Sequence, residues 1–445
     1  MICDLQDKWS VENEENIMAR KKIESTLPHP LVATELGSHS VRSMAAENAE
    51  NGLLRILGIE QSSRNCSVER GVVTSTSDAS YGINESLRLL ANRINYPMLT
   101  NTFVPLGGRM MKLAEVASRR DQVHKREIPD ELLDEMDAEC KKKIELHNTH
   151  VAVLAAIPYC YVLDGVPQAN PPSTEQRAAK IEVKYVVFVG PKELEQKVMD
   201  SFIRTPKHME RTYARPDALM CALASDTDFQ EGCAILDMGA QTTTLTIFSK
   251  GKYVLNRVVA QGGFDITRDI QQMGVGAKHA EVLKCKYGSA LLQPGTENQC
   301  FRLPNPMSEW ESVVIRRGDL IATIEARLQQ IMAPLWNDLR NYENQIRTIY
   351  LTGGAALLNG MVEYIQRFLS VPVALGSHAG WLTEDTPVEM RSPAYSALVG
   401  TLILGAFHRE KHPDAEPMHD LRKQLEKFKK TAQTSLLDIF TEQPQ

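Results

Sequence analysis

A short strand, a tight turn and a second strand occur twice, once in each half of this 445-residue chain. The first turn is Glu35-Leu36-Gly37-Ser38 and the second is Asp237-Met238-Gly239-Ala240, so both turns read acid, apolar residue, glycine, small residue. Each turn lies between two apolar segments of strand length. The repetition predicts a duplicated domain, and the cleft between the two copies is the natural place for a shared ligand.

Turns of this composition are suited to binding phosphate. Glycine and small residues leave backbone N–H groups accessible, and such groups favour anions. Thr242 and Thr243 follow the second turn and can donate hydroxyl hydrogen bonds. Asp237 and Glu35 end buried strands, where a carboxylate can hold magnesium through water. An ordinary hairpin is the better interpretation of either turn alone, but the recurrence favours two turns that clamp a polyphosphate.

Two further elements are candidate parts of the same site. The run 351–356, Leu-Thr-Gly-Gly-Ala-Ala, follows a buried strand and allows close approach to a base or sugar, although a plain strand-to-helix turn explains it almost as well. Glu281 and Lys284 are three residues apart on a helix face. They can hold ribose hydroxyls or form a weak surface pair, and taken singly the surface pair is the better interpretation.

Composition narrows the class of protein. The formal net charge is −6, and the basic residues are scattered, which argues against a nucleic-acid partner. The longest apolar stretch, Ala397 to Phe407, is far shorter than the roughly 18 to 20 residues of a membrane span. The N-terminus lacks the pattern of a secretory signal, so we expect the folded part to be cytoplasmic. The eight cysteines form no metal-binding motif.

The pattern of strands, helices and loops predicts an α/β chain with several parts. The predicted parts are a disordered extension, 1–30; a first lobe, 31–100 and 181–226; an inserted small domain, 101–180; a second lobe, 227–264 and 345–407; a smaller subdomain, 265–344; a linker, 408–418; and an amphipathic helix, 419–441. A return of the terminal helix of the second lobe to the first lobe is the alternative.

Several of these features together resemble the FtsA family of actin-like bacterial cell-division proteins. The resemblance is carried by the order of the two acidic turns, the insert between them, the run 258–270 (Val-Val-Ala-Gln-Gly-Gly-Phe-Asp-Ile-Thr-Arg-Asp-Ile), the helix with Glu281, Lys284 and Tyr287-Gly288, and the turn after Leu351. It covers roughly Leu31 to Phe407, and the Gly-Gly-x-x-Ile-Thr-x-Asp-Ile pattern is its most specific part.

The resemblance implies a duplicated actin-like ATPase fold, with ATP and Mg²⁺ bound between two lobes and a 1C-type subdomain as the insert. The nucleotide-binding residues it implies, together with the turns, are Gly37, Ser38, His39, Gly239, Ala240, Gln241, Thr242, Thr243, Gly262, Gly263, Glu281, Lys284, Gly353, Gly354 and Ala355, with Asp237 and Glu35 at the metal. It also implies self-association into filaments, contacts of the insert with later division proteins, and binding of the FtsZ C-terminal tail. We expect that tail near Arg316, Arg317 and Arg327. A solvated helix face is a comparable interpretation of each arginine.

The chain departs from the superfamily pattern in three places. Glu35 stands where many relatives carry aspartate, and Ala240-Gln241 replaces a glycine pair, with Thr244 where an acid is common. The run Arg215-Pro216-Asp217-Ala218 lacks the glutamate that orients the attacking water in related filament proteins. These changes predict retained nucleotide binding and at most a slow ATPase, with no catalytic residue assigned.

The C-terminal segment has the pattern of an interfacial helix. Leu421, Leu425, Phe428, Leu436 and Ile439 fall on one helical face, and lysines lie away from it. The family resemblance implies a membrane anchor here, and docking on a partner protein is the alternative.

The favoured function is therefore a filament-forming, ATP-binding adaptor that tethers FtsZ to the inner face of the cytoplasmic membrane at the division site. The alternatives are a PilM-like pilus assembly protein, which shares the fold but lacks such a tail, and, less favoured, a small-molecule kinase, for which neither turn offers a convincing general base.

Overall fold

The structure is a computed structural model that describes residues 30–49, 52–63 and 67–411. The predicted N-terminal extension, except Pro30, and the predicted amphipathic helix lie outside the described residues. The predicted linker 408–418 begins too early, because its first four residues, 408–411, belong to the last helix.

The first lobe contains a five-stranded sheet in the order β11-β6-β1-β2-β3. Strands β1 to β3 form an antiparallel meander, whereas β6 runs parallel to both β1 and β11. The strands are β1, Leu31–Leu36; β2, Val41–Asn48; β3, Leu54–Gln61; β6, Asn101–Leu106; and β11, His208–Ala214; a two-stranded ribbon of β4, Val68–Glu69, and β5, Val72–Val73, lies outside this sheet.

Helices cover this first sheet. Helix α1, Thr76–Arg93, begins where the Ser75 hydroxyl accepts a hydrogen bond from the Asp78 N–H, and it buries Ile83, Leu87 and Leu90. This spacing of apolar residues predicts the helix, and the prediction is confirmed. The other first-lobe helices are α3, Lys192–Ile203; α4, Arg215–Leu223; and α5, Asp226–Glu231.

The second lobe repeats the first sheet strand for strand. Its order is β14-β13-β12-β17-β18, with an antiparallel meander (β12 to β14) and two strands parallel to β12 on the other side. The strands are β12, Cys233–Met238; β13, Thr243–Ser249; β14, Lys252–Val259; β17, Thr348–Thr352; and β18, Val373–Leu375. The duplication inferred from the two turns therefore extends to the whole sheet topology.

The inserted domain has other boundaries than the predicted 101–180. Its sheet, in the order β7-β10-β8-β9, consists of β7, Lys112–Glu127; β8, Val151–Leu163; β9, Val166–Gln168; and β10, Arg177–Pro191, with helix α2, Asp130–His147, packed on it. Strand β6 belongs to the first lobe because its residues 102–106 are all buried between β1 and β11. Strand β10 belongs to the insert because it pairs with β7 and β8 along its length.

The side chains of β10 alternate between two hydrophobic cores, which explains why its sequence resembles that of a first-lobe strand. Ile181, Val183 and Tyr185 lie in the core of the insert, whereas Val186 and Phe188 pack in the core of the first lobe. A strand with apolar residues on both faces reads as a central strand of the main sheet. Sequence patterning alone therefore places it in the wrong domain.

The smaller subdomain of the second lobe lies between β14 and β17. It consists of α6, Gly263–Gln271; α7, Ala277–Tyr287; the hairpin β15, Cys300–Asn305, with β16, Ser308–Arg316; and α8, Arg317–Tyr342. The helical spacing of six apolar residues predicts the long helix α8 with one apolar face, and the structure buries all six: Ile321, Ile324, Leu328, Ile331, Leu335 and Leu339. Helix α9, Met361–Gln366, closes the second lobe.

The last helix, α10, Ser396–Lys411, packs against β1, β2 and β6. Leu398, Val399 and Leu402 lie in one core with Leu31 and Phe103. The terminal helix thus returns to the first lobe. No helix in the described part of the chain is both long and apolar enough to cross a bilayer.

Candidate functional site

The two acidic turns face one cavity of about 490 Å³ between the lobes. They have the same internal geometry. In the first, the Gly37 N–H donates to the Ser40 carbonyl at 3.2 Å, and in the second, the Gly239 N–H donates to the Thr242 carbonyl at 2.8 Å. Two glycine turns of matching backbone geometry, one from each lobe, that line the same cavity are the arrangement expected of a polyphosphate clamp.

Most residues predicted for the site line this cavity. They are Glu35, Gly37, Ser38, His39, Asp237, Gly239, Ala240, Gln241, Thr242, Gly263, Glu281, Lys284, Gly353, Gly354 and Ala355. Residues far apart in sequence therefore converge on one space, from both copies of the duplicated sheet.

Thr243 and Gly262 have other roles than ligand contact. Thr243 is buried and its hydroxyl donates to the Gln261 carbonyl at 3.0 Å, which corrects the prediction that it donates to phosphate. Gly262 lies under the second turn, where a Cβ atom would come within 2.5 Å of the Gly239 carbonyl oxygen. The start of α6 can approach the turn only because this position has no side chain.

This close approach fixes the second turn. The Gly263 N–H donates to the Gly239 carbonyl at 3.0 Å, and the Phe264 N–H donates to the Ala240 carbonyl at 2.7 Å. Two carbonyls of the turn therefore accept hydrogen bonds from the start of α6, and these bonds hold the turn in place. The Gly-Gly pair that marks the resemblance thus has a structural reason.

The turn after β17 lies directly on the second acid. Gly353 has a φ of +85°, and a Cβ atom there would come within 2.6 Å of Asp237 Oδ1 and 2.5 Å of the Met238 carbonyl oxygen. Both the backbone conformation and the contact require glycine. Gly354 has open space where its Cβ would be.

Glu281 and Lys284 form a pair at the cavity wall. Lys284 Nζ donates to Glu281 at 2.8 Å, to the Thr267 hydroxyl at 2.8 Å and to the Gly263 carbonyl at 3.1 Å. Burial alone would raise the pKa of Glu281, but the bonds from Lys284 and Thr267 outweigh it and lower the pKa. The pair therefore faces the cavity as two charged groups rather than lying on an outer surface.

The first turn contacts the second lobe directly. The His39 ring contacts the Phe264 ring edge-on, with centroids 5.6 Å apart. Burial lowers the pKa of His39, so the ring stays neutral at physiological pH. A second bridge joins the lobes where the Arg70 N–H donates to Gln241 Oε1 at 2.9 Å.

Two arginines in the cavity were not among the predicted site residues. Arg215, the first residue of α4, donates from Nε to Asp237 Oδ2 at 2.6 Å and from Nη2 to Oδ1 at 3.4 Å, and its Nη1 donates to Glu35. Arg42 donates to the other oxygen of Glu35 at 2.8 Å. Arg215 is the first residue of the run 215–218, which lacks the expected glutamate, and that departure was the sequence signal for it.

Glycines were also missed. Gly71, Gly107 and Gly108 line the cavity beside the first turn. Gly107 and Gly108 directly follow β6, a parallel strand next to β1, as Gly353 and Gly354 follow β17 next to β12. The duplicated topology could therefore have identified Gly107 and Gly108, because they occupy the same place in the first sheet as Gly353 and Gly354 in the second.

Asp217 is not part of the cavity, although it lies only two residues after Arg215. It is partly buried and accepts a hydrogen bond from the Tyr253 hydroxyl at 2.7 Å. Burial raises the pKa of Asp217 despite this bond. Its contact with Tyr253 joins the first lobe to the second behind the site.

Of the three predicted partner-binding arginines, Arg316 ends β16, and Arg317 and Arg327 lie on α8; the three have different partners. Arg327 forms a bidentate pair with Asp269 at 2.6 and 2.7 Å, and Arg316 donates to Asp319 at 2.9 Å. Arg317 donates to the neutral Gln299 amide oxygen at 3.0 Å. Arg316 and Arg317 lie together at the start of the helix, whereas Arg327 lies about three turns further along.

Comparisons with known proteins agree on one family. Residues 234–400 match the family model "Cell division protein FtsA". FtsA of Streptococcus pneumoniae is 23% identical over 371 residues, which is 82% of this chain and 78% of that protein. FtsA of Rhizobium meliloti is 31% identical over 202 residues, which is 44% of this chain and 45% of that protein.

Solved structures agree on the fold. A chain of the PilM-PilN type IV pilus biogenesis complex has a TM-score of 0.60 at 16% identity, with 84% of this chain and 98% of that chain covered. MreB 5 of Spiroplasma citri bound to AMPPNP has a TM-score of 0.52 at 12% identity, with 88% and 100% covered. We conclude that this chain has an actin-like fold and, as its sequence predicts, resembles the FtsA family of cell-division proteins.

Proposed function

We propose that this chain is an ATP-binding, actin-like adaptor of cell division, which assembles into filaments and tethers FtsZ to the inner face of the cytoplasmic membrane. The observation that carries the nucleotide part is the pair of matching turns, one from each lobe, that line one cavity. The similar MreB 5 structure is bound to a nucleotide analogue, and this supports the same ligand class here.

Nucleotide binding has a direct test. We expect ATP and ADP, titrated into the full chain in a calorimeter, to bind with one site per chain. Gly239→Val fills the second turn and should weaken binding by at least about tenfold. Gly251→Ala is a matched control, because Gly251 lies in a tight turn of the same sheet with open space around it, although its positive φ makes a small loss of stability expected. No heat signal with the wild-type chain would contradict the proposal.

The FtsZ contact is proposed at the start of α8. Arg316 and Arg327 already pair with aspartates, so an acidic tail must compete for them, whereas Arg317 donates to a neutral amide. We therefore propose that Arg317 contributes most to tail binding. Fluorescence anisotropy with an FtsZ tail peptide should show a larger loss of affinity for Arg317→Gln than for Arg316→Gln, and equal losses would contradict this assignment.

The membrane anchor is proposed for residues 419–441, which lie outside the described residues. Co-sedimentation with anionic vesicles compares the full chain with a chain that ends at Met418. We expect only the full chain to pellet, because its apolar face and lysines are the proposed contacts. Equal pelleting of the two chains would contradict the proposed membrane anchor.

The likeness to PilM concerns the fold alone and does not favour pilus assembly over cell division. The kinase alternative needs a carboxylate that can accept a proton near the phosphates. The acids at the two turns both accept hydrogen bonds from Arg215, which makes them poor bases. We therefore propose an adaptor with at most slow ATP hydrolysis.

A further inference from the structure

Arg215 lies where the family resemblance implies a magnesium ion. Its guanidinium bridges Asp237 from the second lobe and Glu35 from the first, which are the two acids that the sequence assigns to the metal. The Arg215 side chain is 18% exposed, and those of Glu35 and Asp237 are 5% and 6% exposed. The contact is therefore shielded from water, where charge interactions are strong.

The donor set as arranged does not fit a magnesium ion. Magnesium takes oxygen ligands and needs unneutralised negative charge nearby. Here Arg215 and Arg42 supply two positive charges against the two carboxylates, so the group is neutral before any ion arrives. A divalent cation beside these acids would also be repelled by the guanidinium in contact with both of them.

Arg215 can also contact a phosphate. A guanidinium has five N–H groups, and the bonds to Asp237 and Glu35 use three of them. Arg215 lines the same cavity as both phosphate-binding turns. Arginine N–H groups bind phosphate oxygens with charge-assisted hydrogen bonds, which are stronger than neutral ones.

We infer that Arg215 takes the place of the divalent cation, so that this cleft binds nucleotide phosphates without magnesium, with the guanidinium as their counter-ion. The inference rests on the proposed nucleotide-binding function. It concerns residues of this chain that depart from the family pattern, and it assigns Arg215 a role in ligand binding as well as in joining the lobes.

The first test uses the wild-type chain and calorimetric titration of ADP, once with excess EDTA and once with excess magnesium. We expect dissociation constants that agree within about threefold. Binding at least about tenfold weaker in EDTA would overturn the inference but leave the proposed function standing. Binding in neither buffer would overturn the proposed function itself, and the inference with it.

The second test uses Arg215→Gln, which keeps hydrogen-bonding capacity and removes the charge. We expect at least about tenfold weaker ADP binding in EDTA and partial recovery when magnesium is added. The matched control is Arg257→Gln, which removes an arginine paired with Asp338 on the outer side of the second lobe and should bind ADP as the wild type does. ADP binding by Arg215→Gln in EDTA equal to that of the wild type would overturn the inference.

A third test starts from the nucleotide-free wild-type chain. Mn²⁺ accepts the same oxygen ligands as magnesium and is paramagnetic. We expect the nucleotide-free wild-type chain to leave water-proton relaxation by Mn²⁺ unchanged, because the two acids are already neutralised. Tight binding of one Mn²⁺ that Glu35→Gln abolishes would overturn the inference.

Discussion

The two hairpins share a topology and differ in their surroundings. Each carries an acid before its glycine, and each closes with the same backbone hydrogen bond. The acid of the first hairpin contacts two arginines, Arg42 and Arg215, whereas Asp237 of the second contacts Arg215 and lies under Gly353. Duplication thus sets where the acids lie, and the residues packed on each copy set their chemistry.

The second hairpin is also supported more rigidly. Helix α6 donates two backbone hydrogen bonds to its turn, while the first turn instead contacts the opposite lobe through His39 and Phe264. We therefore regard the second turn as the fixed half of the site and the first turn as the half held by side chains.

The largest expected effect on stability comes from Arg215, which pairs with the acids of both hairpins. Arg215→Ala leaves two buried carboxylates without their common cation, and we expect it to lower the free energy of unfolding by about 3 to 5 kcal/mol. Arg42→Ala removes a more exposed partner of one acid and should cost less than about 2 kcal/mol. Urea denaturation measures both, and equal losses would show that the two acids are not coupled through Arg215.

The second-largest expected effect on stability concerns the packing of Gly353 on the second turn. Gly353→Ala places a Cβ against Asp237 at a positive φ, and we expect a loss of about 2 to 3 kcal/mol in unfolding free energy. The matched control is Gly354→Ala, where there is open space, with an expected change within about 0.5 kcal/mol. Similar losses in thermal or urea unfolding would contradict the proposed tight packing on the second acid.

The pH dependence probes the first acid. Because the folded-state pKa of Glu35 is below its ordinary 4.5, its contribution to stability is present above that pH and is lost as the pH falls through the folded pKa. Glu35→Gln should lower the unfolding free energy at neutral pH by about 1 to 2 kcal/mol. The difference in unfolding free energy between the variant and the wild type should become smaller as the pH falls. A difference in unfolding free energy that grows as the pH falls below 4.5 would contradict the assigned ion pair of Glu35.

The smallest expected effect on stability concerns the inserted domain, which the second lobe lacks. The insert contacts the second lobe where Lys252 donates to Glu115 at 2.6 Å and lies over the Tyr159 ring at 4.8 Å. Glu115 is more than half exposed, so Lys252→Gln should cost about 0.2 to 1 kcal/mol. Hydrogen exchange should increase at this contact and not in Arg119→Gln, whose pair lies within the insert.

Much of the fold was predictable from local patterns. The helical spacing of Ile83, Leu87 and Leu90 and the stripe on α8 predict helices that the structure contains. Both hairpins follow from short apolar strands around glycine turns. The insert boundaries were not predictable, because β10 is apolar on both faces and serves two cores at once.

The sequence by itself determined the elements, the duplication and most of the residues that line the cavity, because apolar spacing and glycine turns are encoded within a few neighbouring positions. Only the tertiary structure decided that Arg215 lies between Glu35 and Asp237, which come from separate parts of the chain and from both lobes. The interaction of a charge depends on distances through space, and the folded chain alone defines those distances.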